Sequence, residues 1–223
     1  MLERFERNIP ALTEKECALL REKRVAVIGC GGLGGYLVEL MARLGVGHIR
    51  LVDGDFFALS NLNRQLLSTP AKLGVSKAEA AAERVRELDG DIRAEAFPIF
   101  LDESNAFEIV SGCDAVLDGL DNIASRRILA AACEKAGVPL VHGAIAGWTA
   151  QAAVSMPGDN LVSLLYPEGT LIKDKSALSF TPAFCAAVQS SLCARLLVGR
   201  EVCPGRLYYF DLLDMELESV DMI

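Results

Sequence analysis

One stretch constrains this chain more than any other: RVAVIGCGGLGG (24–35), followed by HIRLVD (48–53). The apolar, β-branched run RVAVIG reads as a buried parallel strand. It breaks into G-x-G-x-x-G at Gly29, Gly31 and Gly34, with Gly32 inside the motif. From Gly34 a helix is predicted, because Leu33, Leu37, Leu40, Met41 and Leu44 recur at helical spacing until Gly45 and Gly47 stop it. HIRLVD is then a second strand ending on Asp53. Glycines permit a tight turn and a close backbone approach, and the helix N-terminus behind them faces an anion. Asp53, 19 residues after Gly34, is placed to accept hydrogen bonds from a ribose diol. The unit predicts nucleotide binding. The plainer alternative is a turn that only packs a helix on a sheet, and the motif by itself suits NAD as well as ATP.

The same alternation continues downstream. Thr13 caps a helix over 14–22, with Glu16 closing a capping box. Residues 75–88 read as an amphipathic helix, 92–100 and 114–121 as strands, and 123–136 as an alanine-rich helix. Strands follow at 139–145 and 150–157, a weak strand at 161–166, a polar stretch to Ser179, a helix at 182–198 and a strand at 206–213. Strands alternating with helices predict an α/β, Rossmann-like doubly wound sheet, mainly parallel, with antiparallel strands in the C-terminal half. No repeat, low-complexity tract or linker divides the 223 residues. The expectation is one domain over 1–223: a helical arm (1–22), a nucleotide-binding core (23–157), and a crossover stretch, helix and last strands (158–223).

Composition excludes several classes. A net charge of −8 opposes tracking of a nucleic-acid backbone, which needs cations. Mean hydropathy is +0.31, yet charges or glycines interrupt every apolar run before the roughly 20 residues a spanning helix needs. The opening MLERFERNIP lacks an apolar segment of the signal-peptide kind, so a cytoplasmic, membrane-free protein is expected. The cysteines, Cys17, Cys30, Cys113, Cys133, Cys185, Cys193 and Cys203, form no CxxC pair, and only His48 and His142 could add imidazole ligands. No zinc site is expected.

Residues after the glycine turn discriminate between nucleotides. Holding a dinucleotide needs little beyond the turn and the acid, whereas activating a triphosphate needs cations and a carboxylate for magnesium. The long loop 54–74 carries Asn61 and Arg64, and Lys77 opens the next helix. Asp121 ends another strand, at the sheet edge where open α/β folds bind ligands. Surface charge is the ordinary role for an isolated arginine or lysine; the surrounding pattern favours phosphate contacts.

Taken together, ERFERN (3–8), RVAVIGCGGLGG, LVDGD (51–55), SNLNRQ (60–65), GVSKAE (74–79), DGLDN (118–122) with Arg126, and HGAIAGWTAQ (142–151) resemble the ThiF/MoeB/HesA family, bacterial relatives of the ubiquitin-activating enzymes. FDLLDMEL (210–217) adds a weaker match. The resemblance implies ATP- and Mg²⁺-dependent adenylation of the C-terminal glycine carboxylate of a small ubiquitin-like sulfur carrier ending in Gly-Gly, in thiamine- or molybdopterin-type biosynthesis. It implies that Gly32 lies against the phosphates and Asp53 holds the ribose. Asn61 would help place the nucleotide, Arg64 and Lys77 would contact phosphates, Asp121 would hold magnesium, and Asn122 would line the site. Gly29, Gly31, Gly34, Asp55, Ser60 and Gln65 complete the implied cofactor-binding set. The arginine matching Arg7 reaches a neighbouring protomer's site in the family, which implies a homodimer.

The sequence departs from the family in two places. Where many members carry CxxC pairs for zinc, this chain reads LLYPEG (164–169) and LESVDMI (217–223). Where thioester-forming members place a cysteine in the crossover loop, EGTLIKDKSALSFTP (168–182) has none. Cys185 lies beyond it, within the predicted helix, where packing is its ordinary role. His142 reads as a core or supporting histidine, and Trp148 either as packing or as a contact for the carrier tail. Three alternatives stand beside carrier adenylation: an NAD(P)-dependent oxidoreductase, a non-catalytic binding protein of the same fold, and a tRNA-modifying dehydratase, which the acidic charge disfavours.

Overall fold

The computed structural model describes residues 3–171, 174 and 176–223. A short 3-10 turn, Glu3–Asn8, leads into α1 (Glu14–Glu22). Thr13 Oγ1 accepts from the Glu16 backbone N–H while the Glu16 carboxylate accepts from Thr13 N, the reciprocal cap that the sequence predicts. β1 (Arg24–Ile28) runs through the glycine turn into α2 (Gly32–Leu44), which returns to β2 (His48–Val52). After the long loop come α3 (Lys77–Leu88), β3 (Arg93–Phe97), α4 (Ala106–Val110), β4 (Ala115–Asp118), α5 (Ile123–Ala136) and β5 (Leu140–Ala146). The chain then forms β6 (Thr149–Ser155), α6 (Leu161–Leu165), α7 (Phe180–Leu197), β7 (Arg206–Asp211) and β8 (Glu216–Asp221).

All eight strands join one sheet in the order β3-β2-β1-β4-β5-β6-β7-β8. Pairs from β3 to β5 are parallel, and those from β5 to β8 are antiparallel. The expected mixed, doubly wound sheet is therefore the observed one. β1 is buried on both faces: Val25 and Val27 enter one core with Leu37, Met41 and Leu192, while Ala26 and Ile28 enter the other with Ile109, Leu129 and Val162. α1, α2, α3 and α7 cover the first face and α4, α5 and α6 the second. Because β1 pairs with β2 on one side and with β4 on the other, successive crossovers diverge there. A crevice opens beyond the carboxyl ends of these strands, where ligands bind in such sheets.

The structure corrects one element. Of residues 161–166, expected as a weak strand, Leu161–Leu165 form helix α6 and Tyr166 caps it. A five-residue apolar run suits either period. Here Val162, Leu165 and Tyr166 fall on one helical side and pack into the second core, where burial decides the outcome. β8 and α4 are elements that the sequence pattern did not predict. β8 is exposed along its length, so no apolar alternation announces it. The predicted crossover stretch 168–182 includes residues 172, 173 and 175, and the predicted arm begins with residues 1 and 2; these lie outside the described residues.

Candidate active site

The glycine turn has the geometry its sequence demands. Gly29 adopts φ +87°, the left-handed region, and a Cβ there would stand 2.7 Å from Gly119 O. A Cβ on Gly34 would sit 1.6 Å from Gly29 O, so only glycine lets the first turn of α2 close over the end of β1. Gly31 caps α2 without a side chain, leaving the first N–H groups of a 13-residue helix directed at the crevice.

Asp53, at the end of β2, is oriented by that turn. Its Oδ2 accepts from Cys30 N at 2.7 Å and its Oδ1 from Asp55 N at 2.8 Å. Burial pushes the carboxyl above its usual range, opposed by these two N–H groups and by Lys77. Lys77, the first residue of α3, extends its ammonium to within 3.2 Å of Asp55 Oδ2. The guanidinium of Arg64 donates to Ser60 O and Asn63 Oδ1, both at 2.9 Å, and its side chain passes beside Gly32. Gln65 is buried against Gly31, and its Oε1 has no partner among the described residues. On the β4 side, Asn122 caps α5 by accepting from Ser125 N at 2.9 Å, and exposed Asp121 precedes it.

These residues enclose a cavity of about 420 Å³. Gly29, Gly31, Gly32, Asp53, Asp55, Arg64, Gln65, Lys77, Asp121 and Asn122 all line it. Four predicted residues do not. Gly34 lies behind the turn as its packing partner. Asn61 is turned inward, its Oδ1 accepting from Ala58 N at 2.9 Å, and Ser60 contributes only a carbonyl to Arg64. Arg7 is exposed on the N-terminal 3-10 turn, outside this chain's cavity. Trp148 stacks on Phe180 with ring centroids 5.1 Å apart and is not part of the wall.

Arg126, which lines the cavity, belongs to a polar cluster that runs back behind the wall and whose connectivity the sequence did not disclose. Asp118 and His142 are fully buried and Arg126 almost so. Arg126 Nη1 reaches Asp118 Oδ2 at 2.5 Å and Gly143 O at 2.6 Å, and Nη2 donates to Leu120 O. His142 Nδ1 is 2.9 Å from Asp118 Oδ2, and Leu120 N donates to Asp118 Oδ1 at 3.0 Å. From α7, Gln189 Nε2 donates to Asp118 O and Val141 O. Burial opposes ionisation of Asp118, but Arg126 and His142 outweigh it and hold the carboxyl below its usual range. Burial, then Arg126, holds His142 below the usual imidazole value despite Asp118. The turn carrying Asp121 is thus bolted to β5 and α5. A local signal existed only for the carboxylate and arginine, eight residues apart on a strand end and a helix; their link to His142 is tertiary.

Asp121, an exposed carboxylate lining the cavity, suits Mg²⁺, which is commonly held by one or two carboxylates together with substrate phosphates. Among the described residues no group of three or more His, Cys, Asp or Glu is placed to hold a metal.

Comparison with known proteins places this geometry in context. A family model described as "ThiF family" matches residues 5–223. The chain is 36% identical over 208 residues to the SAMP-activating enzyme E1 of Haloferax volcanii, covering 90% of this chain and 77% of that one. It is 34% identical over 231 residues to the probable adenylyltransferase/sulfurtransferase MoeZ of Mycobacterium tuberculosis, covering 97% and 59%. Against other curated relatives it spans about half their length. Among solved structures, E. coli MccB with MccA superposes with a TM-score of 0.84 at 18% identity, over 99% of this chain and 71% of that one, a likeness of fold.

Proposed function

The chain belongs to the ThiF family, matched from residue 5 to residue 223, and on that premise we propose that it adenylates the C-terminal carboxylate of a small ubiquitin-like sulfur carrier. It is an adenylyltransferase in this reading, consuming ATP and releasing pyrophosphate. The observation that carries it is the gathering of a glycine turn, a ribose-side acid, two cations and an exposed carboxylate around one cavity. Names of the related proteins, a SAMP-activating E1 and an adenylyltransferase/sulfurtransferase, support the same chemistry.

The residues divide the work. The first N–H groups of α2, Arg64 and Lys77 face the triphosphate, and Asp53 accepts from the ribose hydroxyls. A carboxylate oxygen of the carrier attacks the α-phosphorus; the bond from that phosphorus to the bridging oxygen breaks, and pyrophosphate departs with the electron pair. Negative charge grows on the equatorial and leaving oxygens, where preorganised cations stabilise it better than reorienting water can. Mg²⁺ held by Asp121 would neutralise part of that charge. No general base is needed, since a C-terminal carboxylate is ionised at pH 7.

We further infer that the carrier ends in Gly-Gly, serves thiamine- or molybdopterin-type sulfur insertion in the cytoplasm, and meets a homodimer. Small lining residues, Gly119, Ala144 and Ala146, let an extended backbone lie close to the β5 side of the cavity, which supports a tail without side chains. The deciding experiment is exchange of labelled pyrophosphate into ATP, with and without a ubiquitin-like protein ending in Gly-Gly from the same genome. Carrier-dependent exchange is expected. No exchange, with thermal protection by NAD⁺ and none by ATP and Mg²⁺, would replace this reading with hydride transfer.

A further inference from the structure

The cavity continues past the nucleotide-facing residues along β5 and β6, where Ala144, Ala146, Thr149 and Gln151 form the floor and Tyr166 an end wall. The buried cluster determines which way the Gln151 amide points. Asp118 is ionised, and Arg126 Nη1 directs its two protons to Asp118 Oδ2 and Gly143 O, so His142 Nδ1, 2.9 Å from Asp118 Oδ2 and 3.1 Å from that Nη1, carries its own proton toward the carboxylate. In the neutral imidazole, Nε2 is then a bare lone pair. It lies 3.2 Å from Gln151 Nε2 and 3.3 Å from Tyr166 Oη, and Gln151 Nε2 donates to Tyr166 Oη at 3.1 Å. A lone pair requires donors, so the Gln151 NH₂ faces inward. Its carbonyl, Oε1, is left toward the cavity, with no donor among the described residues.

We propose that Gln151 is a specificity-determining residue that accepts a backbone N–H from the last two residues of the adenylated substrate. The proposal rests on the adenylation reading and deepens it. Gln151 belongs to β6, two places along the sheet from β4, whereas the glycine turn, Asp53 and Lys77 gather at β1, β2 and α3. Its end of the cavity is therefore the acceptor's end. The floor beside it consists of small side chains, Ala144 paired across from Gln151 and Ala146 across from Thr149. An extended glycine tail presents only backbone N–H and C=O groups there, and a fixed carbonyl selects the N–H. His142 and Asp118 act through Gln151 as positioning residues: they fix its amide and touch no substrate.

The test is a cycle between one enzyme change and one substrate change. Carriers are prepared by semisynthesis with N-methylglycine at the last or the penultimate position, and exchange is measured with wild type and with Gln151→Met. In wild type, N-methylation at one of these positions should raise the carrier KM by about tenfold, as an acceptor left unpaired commonly does. Gln151→Met should raise the KM for the unmodified carrier similarly and leave the KM for ATP within about twofold, a loss confined to the substrate end. The two changes together should cost no more than either alone, because they delete the same hydrogen bond. Thermal protection of Gln151→Met by ATP and Mg²⁺ should match wild type, showing an intact fold. Additive effects at both positions, or a wild type indifferent to N-methylation at both, would overturn the role of Gln151 while leaving adenylation in place. Absence of carrier-dependent exchange in wild type would remove both.

Discussion

Lys77 Nζ stands 3.2 Å from Asp55 Oδ2, with 8% of the lysine side chain exposed against 58% of the aspartate's. The cation is thus held at the cavity wall by a partner that solvent can replace. Asp55→Asn should lower stability by only about 1 kcal/mol, since an ion pair with so exposed a member is heavily screened. It should also increase thermal stabilisation by inorganic pyrophosphate, because the freed ammonium then meets the anion unopposed. Thermal unfolding with and without pyrophosphate checks both; a loss of anion response would show that Asp55 holds the Lys77 ammonium in the position from which it meets the anion.

The cations and the magnesium carboxylate should behave as a catalytic set. Lys77→Ala, Arg64→Ala and Asp121→Ala should each lower carrier-dependent pyrophosphate exchange by roughly 10²–10³-fold, the usual effect of removing a contact made to growing charge. Asp121 is exposed, so its variant should unfold within a few degrees of wild type and require more Mg²⁺ for half-maximal rate. Unchanged exchange in Asp121→Ala would assign the metal elsewhere.

Asp118 should account for part of the protein's acid sensitivity. Its carboxyl lies below the unfolded value, so between the folded and unfolded pKa the unfolded chain binds more protons and stability rises with pH. The contribution is complete above about pH 5 and is lost as pH falls below about 4, through the lowered folded value. Asp118→Asn should cost about 3 kcal/mol at neutral pH, because it strands the buried Arg126 cation without a counter-charge. Its stability should also fall less steeply below pH 4, measured by urea unfolding across pH 3–7.

Cys185 should not be a nucleophile. The residue is buried, its Sγ contacts Ala144 O and Gln151 O at 3.7 and 3.3 Å, and burial pushes the thiol up to about 12. Thiolate at pH 7 is then negligible. Cys185→Ala should retain exchange and unfold only slightly earlier. A thiol-sensitive carrier conjugate seen with wild type and lost in this variant would refute the thioester-free route while sparing adenylation.

Arg7 should act in a partner subunit's site. It is exposed on the N-terminal 3-10 turn, away from its own chain's cavity. Mixing inactive Arg7→Ala with inactive Asp121→Ala should restore part of the exchange through heterodimers that hold one intact site. No recovery, with subunit exchange demonstrated by mass, would take Arg7 out of catalysis.

Much of this molecule was legible as local pattern. RVAVIGCGGLGG and HIRLVD specify a strand–turn–helix–strand because glycine's missing Cβ and the period of Leu37, Leu40, Met41 and Leu44 act over a few residues. Asp53, Arg64, Lys77 and Asp121 were identifiable because each sits at a set place relative to such an element, and all four line the cavity. The run 161–166 was misread because five apolar residues carry no decisive period, and burial of Val162 and Tyr166 against α5 settled it. Edge strand β8 carried no apolar signal at all, being defined by its ladder to β7.

Asn61 shows the other limit. Its type and position suited nucleotide contact, yet its side chain closes its own turn on Ala58 N. Where a side chain points depends on which partners come within about 3 Å, and that is a property of packing. The same holds for the buried cluster. Asp118, Arg126, His142, Gln151 and Gln189 come from five different elements. Nothing in their sequence separation says that one carboxylate sets a histidine tautomer and, through it, the direction of an amide. Short-range chemistry, the turn and the periodicity, is written along the chain. Long-range electrostatics in a low-dielectric interior exists only once the sheet has assembled and excluded water.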